Sequence, residues 1–485
     1  MDIREIIERA KTGEDVVSLL MEKSIELPSW DKLEKEYNPK LHPVMDQTTY
    51  PDITSYRERD TGMFDEYGEP IKERAAVCVE KVSRVTYALQ DLAVKRTTEL
   101  CFGVPVRRVY KPEKDNDLQK KVAMYLEKIY DSVRINSVNI DRGRRLFAGC
   151  EIMTLWYSVV GDHDLYGFRS KMKLRCVTYS PMLGDSIYPI FDETGDLVAI
   201  SVGYSRKVED KTVSFFDTYT SDTHLRWETS NEAGRNTLVT NEKITLGKIP
   251  AIYMFRPTPI WEDTSHIVYE IEWAMSRNGN YLRKNSRPIL AAFVSEEVQF
   301  GQSPRTDAAF RDIVQYPQGS SLQYVTWPQA IDNLKFYTQE LRQSFFTQLQ
   351  LPDWSYDNMK SSPMSGEARK QLFIDCQLKV KDESGRWLEF FDREMKVVKG
   401  YLKLALGNQA KYNEAIDALV VENVITPYMI SDDKDTVNLL LLKNGNKPLM
   451  SQRESIEALG ESEDVDATLA EIRAEGMADA LDLAM

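Results

Sequence analysis

The stretch from Pro328 to Leu406 constrains this chain most, because two runs of helical period flank fourteen residues with no period at all. From Ile331, the apolar positions Leu334, Leu341, Phe345 and Leu349 recur three, four or seven residues apart, and Pro328 suits a helix entrance. The break, Leu351–Met364, holds Pro352, Pro363 and mostly polar residues. Ser365 then reads as an N-cap, and Glu367 complements the helix dipole in the first turn. Beyond it Ala368, Leu372, Cys376, Val380, Trp387, Phe391, Met395, Val398 and Leu402 restore the helical spacing. About 40 residues at ~1.5 Å each reach roughly 60 Å, far longer than an ordinary globular helix. Ser384 and Gly385 mark a candidate kink near its middle.

A chain of 485 residues buries a large core and divides into two to four domains. With 42% hydrophobic and 28% charged residues it reads as globular, and no run of 18 apolar residues predicts a membrane span. The charged N-terminus lacks the apolar core of a signal peptide. Five cysteines scattered without a Cys-x-x-Cys pair favour a reducing compartment, and the four isolated histidines have no metal-ligand spacing. The net charge of −14 makes the chain a poor tight binder of nucleic acid, since backbone binding needs phosphate neutralisation. A conduit that lets DNA slide is compatible with it.

In order, residues 3–22 read as an amphipathic helical segment broken at Thr12-Gly13. Residues 27–75, with five prolines and many charges, read as an irregular arm or a disordered tail, although their aromatics suit packing against a neighbouring subunit. Helices are expected over about 76–100, 115–131 and 137–148, and short strands with turn chemistry between them over 151–160 and 170–256. That alternation predicts an antiparallel sheet. A helix over Ser265–Lys284 carries Arg277, Arg283 and Lys284, with Arg287 just beyond, and basic residues late in a helix suit its dipole. Two strand-like runs, Ile289–Val294 and Leu322–Trp327, follow. After Leu406 the chain reads as mainly helical, with a capping box at Ser451–Glu454.

Motifs for chemistry are missing. Gly247-Lys248 has Glu242 where a phosphate loop needs its first glycine and Ile249 where it needs Ser or Thr. No His-Glu-x-x-His, Gly-x-Ser-x-Gly or Gly-x-Gly-x-x-Gly occurs. With 76 carboxylates, no acid–base pair is specific. The expectation is a protein that is not an enzyme, with no cofactor and no metal.

Ser365-Gly366-Glu367-Ala368-Arg369-Lys370 resembles the Ser-Gly-x-Ala-x-Lys signature of portal proteins of tailed double-stranded DNA phages, with Ser365, Gly366, Ala368 and Lys370 as its matching positions. Asp91–Arg96 with Leu100-Cys101-Phe102-Gly103-Val104-Pro105-Val106, the runs Tyr179–Pro181 and Pro189–Ile200, Gly247–Phe255 and Ser451–Glu475 are similar to further portal passages, in the same order. The resemblance implies an α+β protomer. Its parts would be an N-terminal arm (1–75), a wing of helices and antiparallel sheet (76–262), stem helices (263–286 and 329–350) around a small clip (287–328), a tunnel loop (351–364), a long helix (365–406) and a helical crown (407–485). It implies a ring, a dodecamer in that family, that passes double-stranded DNA non-specifically at one capsid vertex. The terminase motor, head-completion or adaptor proteins, the major capsid protein and scaffolding protein would be its partners, in the virion, with synthesis in the host cytoplasm. Trp354, Tyr356, Met359 and Lys360 would face DNA from the tunnel loop, and Arg277, Arg283, Lys284 and Arg287 would form the stem's basic cluster. The alternatives are a nucleic-acid- or polysaccharide-acting enzyme with a carboxylate site, or another structural head or connector protein.

Overall fold

The computed structural model describes residues 3–11, 15–22, 25–64, 67, 70–114, 116–208, 211–229, 236–285, 289–293, 321–325, 331–353, 374–428, 451–459 and 465–482. The chain opens with α1 (Ile3–Lys11), α2 (Val17–Leu20) and α3 (Trp30–Tyr37). Two 3-10 turns follow, and then β1 (Ile53–Phe64) pairs antiparallel with β2 (Pro70–Glu80). The irregular arm expected over 27–75 is therefore ordered in large part. Pro39 and Pro43 each begin a 3-10 turn, where a missing N–H costs nothing. Along the hairpin, Glu58 lies opposite Arg74, Arg59 opposite Glu73 and Asp60 opposite Lys72. The register thus sets residue types of opposite charge across from one another, a sequence pattern that favours cross-strand pairing. The helix expected from about 76 is also corrected: residues 76–80 belong to β2, and α4 (Leu89–Phe102) starts only after an extended segment.

The next elements are β3 (Arg107–Lys111), α5 (Asp117–Ser132), α6 (Ile135–Gly149), β4 (Glu151–His163), β5 (Ser170–Tyr179), β6 (Ser186–Phe191), β7 (Leu197–Val208), β8 (Lys211–Tyr219), β9 (Thr223–Thr229), β10 (Asn236–Lys243) and β11 (Ala251–Phe255). As the alternation predicts, their pairings are antiparallel. β6 to β10 form a five-stranded meander, and β11-β4-β5 form a second sheet. Period-2 alternation gives the meander two apolar faces. Phe216, Leu225 and Trp227 are buried under Ile6, Ile7, Ala10, Val17 and Leu20 of α1 and α2. Tyr204, Tyr219, Ile200 and Val202 instead pack with Met153, Tyr179 and Tyr253 of the smaller sheet. Helices as short as α1 and α2 hold in water only when docked in this way.

The chain continues through α7 (Ser265–Asn285), β12 (Ile289–Phe293), β13 (Ser321–Val325), α8 (Ile331–Gln348), α9 (Ile374–Ala405), α10 (Ala410–Ala418), β14 (Val420–Val424), α11 (Gln452–Leu459) and α12 (Val465–Asp482). The fold is α+β. α9 runs without a break through Ser384 and Gly385, and its 32 residues span about 48 Å at the helical rise. Its buried stripe centres on Trp387, whose ring meets Phe102 edge-on at 4.8 Å and Phe391 at 5.9 Å. The region after Leu406 is not wholly helical, because β14 pairs with β3 from far upstream. At α11 the capping box is reciprocal: Ser451 N–H donates to Glu454 Oε2 (2.9 Å) and Glu454 N–H to Ser451 Oγ (3.2 Å).

Candidate functional site

α7 packs on one side against α8, with Tyr337 Oη donating to Glu270 Oε1 at 3.0 Å, a bond that raises the phenol's pKa. Along another side runs the extended segment 81–88. Glu272, Ser276, Asn280 and Arg283 are spaced four, four and three residues apart, so they form one polar line along the helix. Each meets a backbone group of the extended segment. Glu272 Oε1 accepts from Tyr87 N–H (2.8 Å), Ser276 Oγ from Val85 N–H (2.9 Å) and Asn280 Oδ1 from Ser83 N–H (2.5 Å), while Arg283 Nη1 donates to Lys81 O (3.1 Å). The register works because four helical residues advance about 6 Å and two extended residues about 6.6 Å. Gly279 permits the close approach, since a Cβ there would sit 2.6 Å from Ser83 Oγ.

The same strap is fixed at its ends. His42 Nδ1 and Glu272 Oε1 are 2.7 Å apart, both side chains closed to solvent, and His42 Nε2 faces Glu36 O at 2.9 Å. Glu36 Oε2 accepts from Trp261 Nε1 (3.0 Å) and Ser265 Oγ (3.1 Å). Asp52 accepts from Val82 N–H (3.1 Å) and pairs with Arg84 (2.9 Å); the Val82 bond, helped by Arg84, lowers its carboxyl pKa. Sequence reasoning missed this line. Its signal was a row of polar residues at helical spacing along α7.

Of the four basic residues expected to form a cluster, Arg277 and Arg283 stand on different faces of α7. Arg277 is exposed, its guanidinium 5.8 Å over the Trp273 ring. Arg283, six residues later and so on another face, is committed to the strap backbone. Lys284 lies in the last turns of α7, and Arg287 lies outside the described residues.

α8 ends in a Schellman motif. Gln350 takes φ 54°, Gln350 N–H donates to Thr347 O (3.0 Å), and Leu351 N–H donates to Phe346 O (2.9 Å). Leu351 is buried, so the chain leaves α8 in a fixed direction. Trp354, Tyr356, Met359 and Lys360 lie outside the described residues, as do Ser365, Gly366, Ala368 and Lys370.

The buried carboxylate of Asp217 joins neighbouring strands. Beside a cleft of about 440 Å³ lined by Arg206, His224, Arg226 and Lys243, Asp217 is fully enclosed. Arg226 Nε and Nη2 donate to its two oxygens at 2.7 and 2.9 Å, and Tyr204 and Tyr219 hydroxyls add to them. Burial alone would raise Asp217; the His224 and Arg226 contacts outweigh it and bring it down to about 2. Such a carboxylate is an anchor between strands, with no proton to give near neutrality. Among the described residues no group of three or more His, Cys, Asp or Glu gathers to hold a metal ion, and no helix is long and apolar enough to cross a membrane.

No curated protein matches the chain. Among solved structures, it is similar to a chain of the neck of an empty gene transfer agent (GTA) particle, at 12% identity and TM-score 0.37. A chain of the native GTA virion follows at 11% and 0.33. Each similarity covers 76% of this chain and 88% of the other. The model of the family described as phage portal protein, SPP1 Gp6-like, matches residues 22–480. The chain belongs to the SPP1 Gp6-like family of phage portal proteins.

Proposed function

We propose that copies of this chain join head to tail into a closed ring, a dodecamer, at one vertex of a phage capsid. Double-stranded DNA passes through its centre, inward during packaging by the terminase motor and outward at infection. The family match over residues 22–480 carries this reading. A heterologous interface that closes on itself gives a ring with a hole, and the exposed length of α7 and α8 is available to neighbours. In this reading α7 and α8 are the stem, residues 287–328 the clip that meets terminase and later the head-completion proteins, and residues 351–364 the narrowest collar around DNA. The wing and the C-terminal region meet capsid and scaffolding protein. The collar sequence carries Lys360 against Asp353 and Asp357, so it touches phosphate without gripping it, since each added phosphate contact strengthens binding and slows sliding.

Mass photometry and negative-stain images of the purified chain test the reading. Large rings with a central hole are the expected outcome; a clean monomer or dimer at micromolar concentration, and in the particle, overturns it.

A further inference from the structure

We propose that Arg96 is a positioning residue: from α4 it holds the first residues after α8, and so sets where the segment assigned above to the DNA collar begins. The proposal rests on that assignment.

Arg96 sits on the buried side of α4 among Ala93, Val94, Thr97 and Leu100, and is itself only 9% exposed. A leucine or methionine would serve helix packing there at lower desolvation cost. The guanidinium instead reaches across 256 positions of sequence, and its Nη1 donates to Pro352 O at 2.5 Å. Its Cζ lies 4.8 Å from the Phe346 ring centroid, and Arg342 approaches the same ring at 5.8 Å. Two guanidiniums at one ring repel each other, and Asp353 offsets this: it pairs with Arg342 at 3.6 Å and favours the charged form of Arg96 against burial.

Three consecutive residues are therefore held by three different means. Leu351 is fixed by the Schellman turn and burial, Pro352 by its carbonyl, and Asp353 by its carboxylate. Proline adds a rigid φ of about −65° and presents no N–H of its own, so its carbonyl is the group through which it can be held from outside. α4 packs on α6 and α9 in the main core. A load applied beyond Asp353 is then passed to that core through Arg96, and the end of α8 does not bear it alone.

The test uses the full-length ring in a packaging assay, with Arg96→Ala, Arg96→Lys, a deletion of residues 354–362, and the deletion combined with Arg96→Ala. Ring formation and thermal midpoint are read alongside packaged DNA. Expected is that Arg96→Ala leaves rings intact but lowers packaging about tenfold or more, as misplacement from a distant residue does. Arg96→Lys restores part of it, and Arg96→Ala has no further effect once 354–362 are gone. A residue that merely stabilises the fold would add its loss to that of the deletion, and that additivity overturns the proposal. Normal packaging by Arg96→Ala, with packaging lost in the deletion, overturns it while leaving the collar assignment standing. Normal packaging by the deletion removes the collar assignment and this proposal together. Should Arg96→Ala fail to form rings, Asp353→Asn is read in the same assay with the same expected pattern, and normal packaging there counts against the proposal.

Discussion

Arg142 and Glu394 meet at 2.6 Å with both side chains closed to solvent, although 252 residues separate them. Arg142 also donates to Thr154 Oγ1 (3.1 Å) and Asn139 Oδ1 (2.9 Å), and Trp156 Nε1 donates to the same Glu394 oxygen (2.9 Å). One network thus ties α6, β4 and α9. Removing a single partner strands a buried charge, so Glu394→Ala or Arg142→Ala should each cost about 3–5 kcal/mol. The double replacement Arg142→Met with Glu394→Leu should recover much of that. Urea unfolding followed by tryptophan fluorescence checks it; single losses below about 1 kcal/mol would contradict the account.

The strap on α7 makes a second prediction. Ser276→Ala leaves the Val85 N–H without its acceptor, at a cost of about 1–3 kcal/mol. Gly279→Ala pushes a Cβ into Ser83 and should act on the same segment. Hydrogen exchange localises the effect: amides of residues 83–87 should exchange faster in both variants, while those of α9 stay unchanged.

Arg277 and Arg283 should behave differently. Arg277→Ala removes an exposed charge and should weaken the salt dependence of DNA packaging or retention with the thermal midpoint nearly unchanged. Arg283→Ala should loosen the strap and show in exchange at residues 81–83. Identical behaviour of the two variants would dissolve the distinction.

Gln350 holds a left-handed backbone that costs a non-glycine residue about 1–2 kcal/mol. Gln350→Gly should therefore raise stability by up to about 1 kcal/mol, less the entropy gained by the unfolded chain, and Gln350→Val should lower it. Thermal midpoints of the two variants, ordered Gly above wild type above Val, are the check.

Asp217 gives the pH dependence. Its folded pKa of about 2 lies below the ordinary 3.8, so its contribution is present above pH ~4 and is lost as pH falls toward 2. The shift corresponds to about 2 kcal/mol at neutral pH. Asp217→Asn should lose roughly that amount at pH 7 and show a flatter stability profile between pH 4 and 2. An unchanged profile would mean that the Asp217 carboxyl is not depressed in the folded protein.

Local patterns carried much of this protein into view. Helical spacing from Leu334 to Leu349 and from Cys376 to Leu402 is enough to specify α8 and α9, because each buries one stripe and exposes the rest. The alternation over 170–256 specifies antiparallel strands, and Ser451 with Glu454 specifies the start of α11, because those bonds form between near neighbours. Tertiary structure decided what depends on distant partners. Residues 53–64 and 76–80 became strands because each segment supplies the other's backbone with partners in the hairpin, and β14 became a strand because β3 offered it an edge. The bonding of Glu272, Ser276 and Asn280 to residues 83–87, and of Arg96 to Pro352, joins groups far apart along the chain, at spacings no sequence period encodes. Sequence sets what each residue can bond to. Only the packed fold, by bringing a specific acceptor within about 3 Å, decides which bond it makes.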